Sequence, residues 1–190
     1  EVVGSYGDDS FVGSEGRENL VGHHGNDTLQ GMGGDDRLDG DRGDDRLIGG
    51  AGDDVLIGGQ GADRLEGGEG DDTYLVAGRD DFKNDSIYDA KGDNDKLAYT
   101  GADRLVVTNF NGNNGIDEVD VNGRQIMGDG EKNHLDFQNV NFAQDSQVIK
   151  AGGGDDFVRG GEGSEVIYGS YGADTLQGGG GDDKLYGEYG

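Results

Sequence analysis

The residues of this chain best placed to do chemistry are carboxylates that recur at a fixed interval. Asp9, Glu18, Asp27, Asp36, Asp45, Asp54, Asp63 and Asp72 are spaced nine apart, and Asp156, Glu165, Asp174 and Asp183 repeat the step. If two nine-residue units make one coil, carboxylates two units apart stack about 4.8 Å from each other. Bare carboxylates at that distance repel. A cation with ligand distances of about 2.3–2.6 Å fits between two of them, and those distances are calcium's; magnesium wants about 2.0–2.1 Å and keeps its waters. A donor set made only of oxygen argues against zinc or copper.

The elements that must position these acids are legible in the same units. Glycine falls at 7, 16, 25, 34, 43, 52, 61 and 70, and again at 154, 163, 172 and 181. Counting each glycine as position one, the acid is position three. Position five is always apolar or aromatic: Phe11, Leu20, Leu29, Leu38, Leu47, Leu56, Leu65 and Tyr74, then Val158, Ile167, Leu176 and Leu185. Position seven is Gly except in the eighth unit, where Val76 stands. One apolar residue among polar neighbours suits a short strand with a single inward side chain. Such a unit encloses no core alone, but stacked coils make a narrow apolar column. The glycines belong in the turns, where positive φ and close backbone approach are needed, and their carbonyls can complete an oxygen shell.

Composition sharpens the case. Of 190 residues 42 are glycine, and 41 Asp+Glu against 15 Lys+Arg leave a net charge of −26. That balance excludes nucleic-acid binding through a basic face and a basic membrane-surface helix. No apolar run approaches the roughly 18 residues of a membrane span. There is no proline, as collagen would need, and no cysteine for a disulfide framework or thiolate site. Only 31% of the chain is apolar, and low hydrophobicity with high charge is the signature of disorder. Something must therefore neutralise the acids or organise the glycines if the chain is to fold. Glu1-Val2-Val3 lacks the basic start and apolar stretch of a signal peptide, and Gly187-Glu188-Tyr189-Gly190 stops in mid-pattern, as expected of a piece of a longer protein.

The units resemble the RTX (repeats-in-toxin) nonapeptide, Gly-Gly-x-Gly-x-Asp-x-U-x with U large and apolar. Gly49-Gly50-Ala51-Gly52-Asp53-Asp54-Val55-Leu56-Ile57 is a full match, as is Gly58-Gly59-Gln60-Gly61-Ala62-Asp63-Arg64-Leu65-Glu66. The resemblance implies an all-β fold, a right-handed parallel β-roll (β-solenoid) that binds calcium in its turns. It implies two rows of carboxylate ligands, Asp9, Asp27, Asp45 and Asp63 on one side and Glu18, Asp36, Asp54 and Asp72 on the other. Asp156 pairs with Asp174, and Glu165 with Asp183. Backbone ligands are expected at Gly43, Gly50, Gly52, Gly59, Gly61, Gly68, Gly70, Gly161, Gly163, Gly179 and Gly181. Arg17-Glu18, His23-His24 and Ser164-Glu165 depart from the pattern, so weaker sites are expected there. Family proteins are secreted by Gram-negative bacteria, often through type I secretion machinery, and include toxins, proteases, lipases and adhesins. A count of coils gives on the order of eight Ca²⁺, about +16 against the formal −26.

Residues 81–150 break the period, so three segments are expected: a first roll over 1–80, a β-rich spacer over 81–150 and a second roll over 151–190. Asp85-Ser86-Ile87, Asp95-Lys96-Leu97, Asp103-Arg104-Leu105 and Asp117-Glu118-Val119 keep the Asp-x-apolar fragment at irregular spacing, a degenerate continuation at best. Strands are expected at 104–110, 116–121, 124–127, 135–142 and 147–150. Asn111-Gly112, Asn114-Gly115 and Asn122-Gly123 punctuate the segment, and Asn-Gly is a strong hairpin signal. They predict an irregular antiparallel meander between the two blocks.

Competing readings are weaker. His23, His24 and His134 come without HExxH or Gly-x-Ser-x-Gly and read as surface residues. Tyr168, Tyr171, Tyr186 and Tyr189 read as roll packing or a subunit contact rather than a sugar platform. Asp117, Glu118 and Asp120 read as solvated strand residues or one extra calcium site rather than an acid/base pair. The chain therefore reads as a non-catalytic calcium-binding module of a secreted or cell-surface protein, helping export or presenting neighbouring domains to a host-cell or surface receptor. Two other readings place a site in 81–150: a polysaccharide-active secreted enzyme, and an adhesin domain that binds its ligand directly.

Overall fold

The computed structural model describes residues 1–78, 82–89, 94–111 and 114–190. Among them every regular element is a strand. The strands stack in four ladders. The longest runs Val2–Val3, Asn19–His24, Arg37–Arg42, Val55–Gln60, Thr73–Val76, Asp95–Tyr99, Ile116–Asp120 and Asn141–Phe142. Facing it over the first block is Ser10–Val12, Thr28–Gly33, Arg46–Ala51, Arg64–Glu69 and Ser86–Ile87. A third ladder holds Leu105–Val106, Ile126–Met127, Gln147–Gly153, Glu165–Tyr171 and Lys184–Tyr189. The fourth holds Asn109–Asn111, His134–Asp136, Phe157–Arg159 and Thr175–Gln177.

Each strand pairs with the strand one coil later, so the position-five residues stack on one another. Leu20, Leu38, Leu56, Tyr74, Leu97, Val119 and Phe142 form one unbroken apolar row. Phe11, Leu29, Leu47, Leu65 and Ile87 form the opposing row. In the second block the rows are Leu105, Ile126, Ile149, Ile167 and Leu185, and Phe110, Leu135, Val158 and Leu176. The core is thus a column one side chain deep, as a nine-residue unit with one inward residue requires.

Among the described residues the antiparallel meander is not there. Strands do occupy the expected stretches, at Leu105–Val106, Asn109–Asn111, Ile116–Asp120, Ile126–Met127, His134–Asp136, Asn141–Phe142 and Gln147–Gly153, but their pairings are parallel. Asn122 (φ 50°) and Gly123 (φ 70°) do make a tight turn, closed by Arg124 N–H donating to Val121 O at 2.9 Å. The strand before that turn lies in the first ladder and the strand after it in the third. The turn is a corner of a coil, not the loop of a hairpin. Asn114-Gly115 sits at another corner, with Gly115 at φ 98°; residue 112 of Asn111-Gly112 lies outside the described residues.

The nine-residue period fails because the coil grows. Leu97 pairs with Val119, Val119 with Phe142 and His134 with Phe157, steps of 22 to 23 residues instead of 18. These coils carry three strands, and Tyr99, Phe110 and Phe137 fill their wider interior. Past residue 147 the coil returns to two strands and an 18-residue step. A continuing solenoid keeps strand edges paired and the apolar column covered, which a meander would leave open.

Candidate metal centre

The acids stand where each turn enters a strand, and they are tied together across coils. The backbone N–H of Asp9 donates to Asp27 Oδ1 (2.7 Å), that of Asp27 to Asp45 Oδ1 (2.7 Å) and that of Asp45 to Asp63 Oδ1 (2.8 Å). The second row runs from Glu18 through Asp36 and Asp54 to Asp72, with N–H···Oδ1 distances of 2.6, 2.8 and 2.8 Å. The second block repeats the bond from Asp156 to Asp174 at 3.1 Å and from Glu165 to Asp183 at 2.8 Å. All twelve sequence-predicted acids therefore fall in such rows, in the pairs expected.

The rows also extend where the period breaks. Asp63 N–H donates to Asp85 Oδ1 (2.9 Å), Asp72 N–H to Asp95 Oδ1 (2.9 Å) and Asp95 N–H to Asp117 Oδ2 (3.1 Å). Asn133 N–H donates to Asp156 Oδ1 at 2.7 Å. Asp85, Asp95 and Asp117 were signalled in the sequence by their Asp-x-apolar fragments. Asn133 was not, because an amide replaces the acid.

Each bond uses one carboxylate oxygen. The other, Oδ2, is buried without a hydrogen-bond partner at Asp27, Asp36, Asp45, Asp54, Asp72, Asp95, Asp156 and Asp174. A buried oxygen anion with nothing to meet it costs free energy on the order of several kcal/mol. A row of them at one position is a structural demand for a partner. Burial, first, and then the neighbouring carboxylates push the Asp45 and Asp72 carboxyls up to about 7 and that of Asp54 to about 6, against the lowering effect of the backbone N–H each accepts. Asp95 and Glu165 likewise reach about 7, again chiefly by burial.

Glycine makes the space around these oxygens. A Cβ on Gly31 would collide with Asp36 Oδ2 and meet Gly49 O at 2.7 Å; one on Gly49 would collide with Asp54 Oδ2 and meet Gly67 O at 2.8 Å. Gly40, with Asp45 and Gly58 O, and Gly169, with Asp174 and Gly187 O, repeat the arrangement. Carboxylate and carbonyl oxygens thus crowd one side-chain-free point at each of these four glycines. Such a hard, all-oxygen donor set fits calcium.

Of the glycines expected to offer carbonyls, Gly43, Gly50, Gly52, Gly59, Gly61, Gly68, Gly70, Gly179 and Gly181 have positive φ, with Gly50, Gly59 and Gly68 near the ends of strands. Gly161 and Gly163 do not, and Gly161 O already accepts from Gly180 N–H at 2.8 Å. The carbonyls of Gly43, Gly50, Gly52, Gly161 and Gly163 each lie beneath the glycine eighteen residues on.

The first coil differs. Ser5 N–H and Oγ donate to Asp9 Oδ2 (2.6 and 3.0 Å), and Ser14 N–H and Oγ donate to the Glu18 carboxylate (3.0 and 2.5 Å). Those serine bonds hold the Glu18 carboxyl below its usual range. Asp9, in the first unit, and Glu18, in the second, thus have hydrogen-bond donors already.

The remaining candidates take ordinary places. His23 is exposed and sits 3.5 Å from Asp41, His24 approaches Arg42, and His134 stacks on Phe157. Tyr168 stacks on Tyr186 and Tyr171 on Tyr189, one coil apart. Glu118 and Asp120 pair with Lys96 at 2.7 and 3.2 Å, leaving only Asp117 of that trio in the carboxylate row.

Residues 12–47, 39–74, 148–167 and 159–190 each match the model of the RTX calcium-binding nonapeptide repeat. Together the matches cover more than half of the chain. Among curated proteins, none matches it.

Proposed function

This chain belongs to the RTX calcium-binding nonapeptide repeat family, and we propose that its calcium-binding module is a folding switch for a secreted protein. The observation that carries this reading is the file of buried, partnerless Oδ2 atoms. The ligands are Asp9, Asp27, Asp36, Asp45, Asp54, Asp63, Asp72, Asp156, Asp174, Asp183, Glu18 and Glu165, completed by turn carbonyls. On the order of eight calcium ions supply the charge that a net −26 lacks. Extracellular calcium modules bind at about 10⁻⁴–10⁻³ M, so binding and folding are one event that awaits export. In the cytosol the chain stays an expanded polyanion, suited to threading through type I secretion machinery. Outside, it becomes a stiff rod that presents attached domains, as a toxin or adhesin requires.

The two blocks and the spacer act as one unit, because the apolar row through Tyr74, Leu97, Val119 and Phe142 joins the first block to the spacer and the row through Ile126, Ile149 and Ile167 joins the spacer to the second. The test is equilibrium dialysis against calcium together with sedimentation velocity in chelator and in millimolar calcium. Uptake of several ions with collapse to a compact rod is expected. A sedimentation coefficient unchanged between the two conditions would remove the switch.

A further inference from the structure

The widening of the coil brings in a carboxylate that the nonapeptide does not provide. Asp72 closes the last regular unit and Asp95 stands one coil later in the same row, its Oδ1 accepting from Asp72 N–H at 2.9 Å. Asp89 joins them from the far side. It follows the Ser86–Ile87 strand, its N–H donates to Asn114 O at 2.7 Å, and Gly115, at φ 98°, packs against its backbone. The three side chains are buried and offer oxygens that lie within 4.8 Å of one another.

Two further observations point to a ligand there. Asp72 Oδ2 and Asp95 Oδ2 have no hydrogen-bond partner, and the two residues are 1% and 0% exposed. Asp72 Oδ2 and Asp89 Oδ2 converge on the same glycine: a Cβ on Gly67 would collide with the first and meet the second at 2.6 Å. Tyr74 fixes the arrangement. Gly67 N–H donates to its hydroxyl oxygen at 2.8 Å, so the hydroxyl proton goes to Asp89 Oδ2 at 2.5 Å. In the other units of the first block position five is Leu or Phe, which carries no hydroxyl to donate to such an acid.

We propose that Asp72, Asp89 and Asp95 form a three-carboxylate calcium site at the seam between the 18-residue coils and the wider ones. Asp89 and Asp95 lie outside the stretches that match the nonapeptide, so this site is distinct in composition from those of the repeats. Calcium affinity rises with the number of charged ligands, so the seam fills before the regular coils. It shares with the folding-switch reading the identity of the ion and one carboxylate, Asp72.

Terbium, which replaces calcium and is sensitised by tyrosine, tests this in the full chain. There is no tryptophan, and Tyr74 is hydrogen-bonded to a proposed ligand. Titration from chelator gives a first luminescence phase of about one equivalent, ahead of the later phases. Tyr74→Phe dims that phase while the ion stays bound, and Asp89→Asn removes it and lowers the calcium count in dialysis by about one. A first phase of unchanged brightness in Tyr74→Phe and an unchanged count in Asp89→Asn would overturn the site. Should Asp89→Asn fail to fold, Tyr74→Phe decides alone. A first phase with no later ones would sink the folding-switch reading and keep the seam.

Discussion

The backbone N–H of Asp54 donates to one oxygen of Asp72 across a single coil, at 2.8 Å, while the other oxygen of Asp72 is buried and reaches no hydrogen-bond partner. The first bond sets the register between coils. The second oxygen creates the need for a cation. One residue type at one position in the repeat thus does both, which is why the fold and the metal chemistry share a period.

Asp45→Asn separates these roles, since an amide still accepts the bond from Asp27 N–H but carries no charge. It is expected to weaken the calcium-bound state by about 1–3 kcal/mol, read as a higher calcium midpoint in folding titrations. Asp53→Asn is the control. Asp53 lies on the exposed side of the turn, where its Oδ1 accepts from Asp71 N–H at 3.0 Å, and the change should stay within about 0.5 kcal/mol.

Glycine tolerance should follow local space. At Gly49 a methyl group meets Asp54 Oδ2 and Gly67 O, whereas at Gly7 nothing lies within 4 Å. Gly49→Ala is expected to cost about 1–3 kcal/mol and to lower calcium uptake. Gly7→Ala should leave both thermal stability and ion count unchanged.

In chelator the fold should prefer acid. The carboxyls of Asp45, Asp72 and Asp95 are raised to about 7 and that of Asp54 to about 6 by burial. A folded-state value above the unfolded one of about 3.9 means that the folded chain binds more protons in between. Stability is then fully present below about pH 4 and is lost as pH rises through 6 to 7. In EDTA a melting transition should be seen at pH 4.5 and be absent at pH 8. Calcium should reverse that order, and its binding near pH 6 should release protons, measurable as a buffer-dependent heat.

Leu97 links the first block to the spacer, pairing with Tyr74 on one side and Val119 on the other. Leu97→Ala is expected to cost about 2–5 kcal/mol. In calcium-saturated melts followed by hydrogen exchange, protection should fall in both neighbouring strands, Thr73–Val76 and Ile116–Asp120.

Much of this was legible in the chain itself. A column of one apolar residue per nine, as at Leu38, Leu47 and Leu56, dictates a thin core, and an acid two residues earlier dictates the stacked carboxylates. The spacer misled because Asn122-Gly123 reports only that the chain turns sharply. It carries no information on which sheet receives the next strand, and here that is a new one. Asp95 and Asp117 were visible as fragments, but only the wider coil shows that they continue the row. Asp89 was hidden because it comes from a different part of its coil, where the Tyr74 hydroxyl, Asn114 O and the packing of Gly115 hold it beside Asp72.

The most direct test is far-ultraviolet circular dichroism during a calcium titration out of EDTA, with magnesium in parallel. A cooperative coil-to-β transition near millimolar calcium, absent with magnesium, is the predicted result. Full β structure in EDTA at neutral pH would contradict the account, because the buried carboxylates would then need no cation.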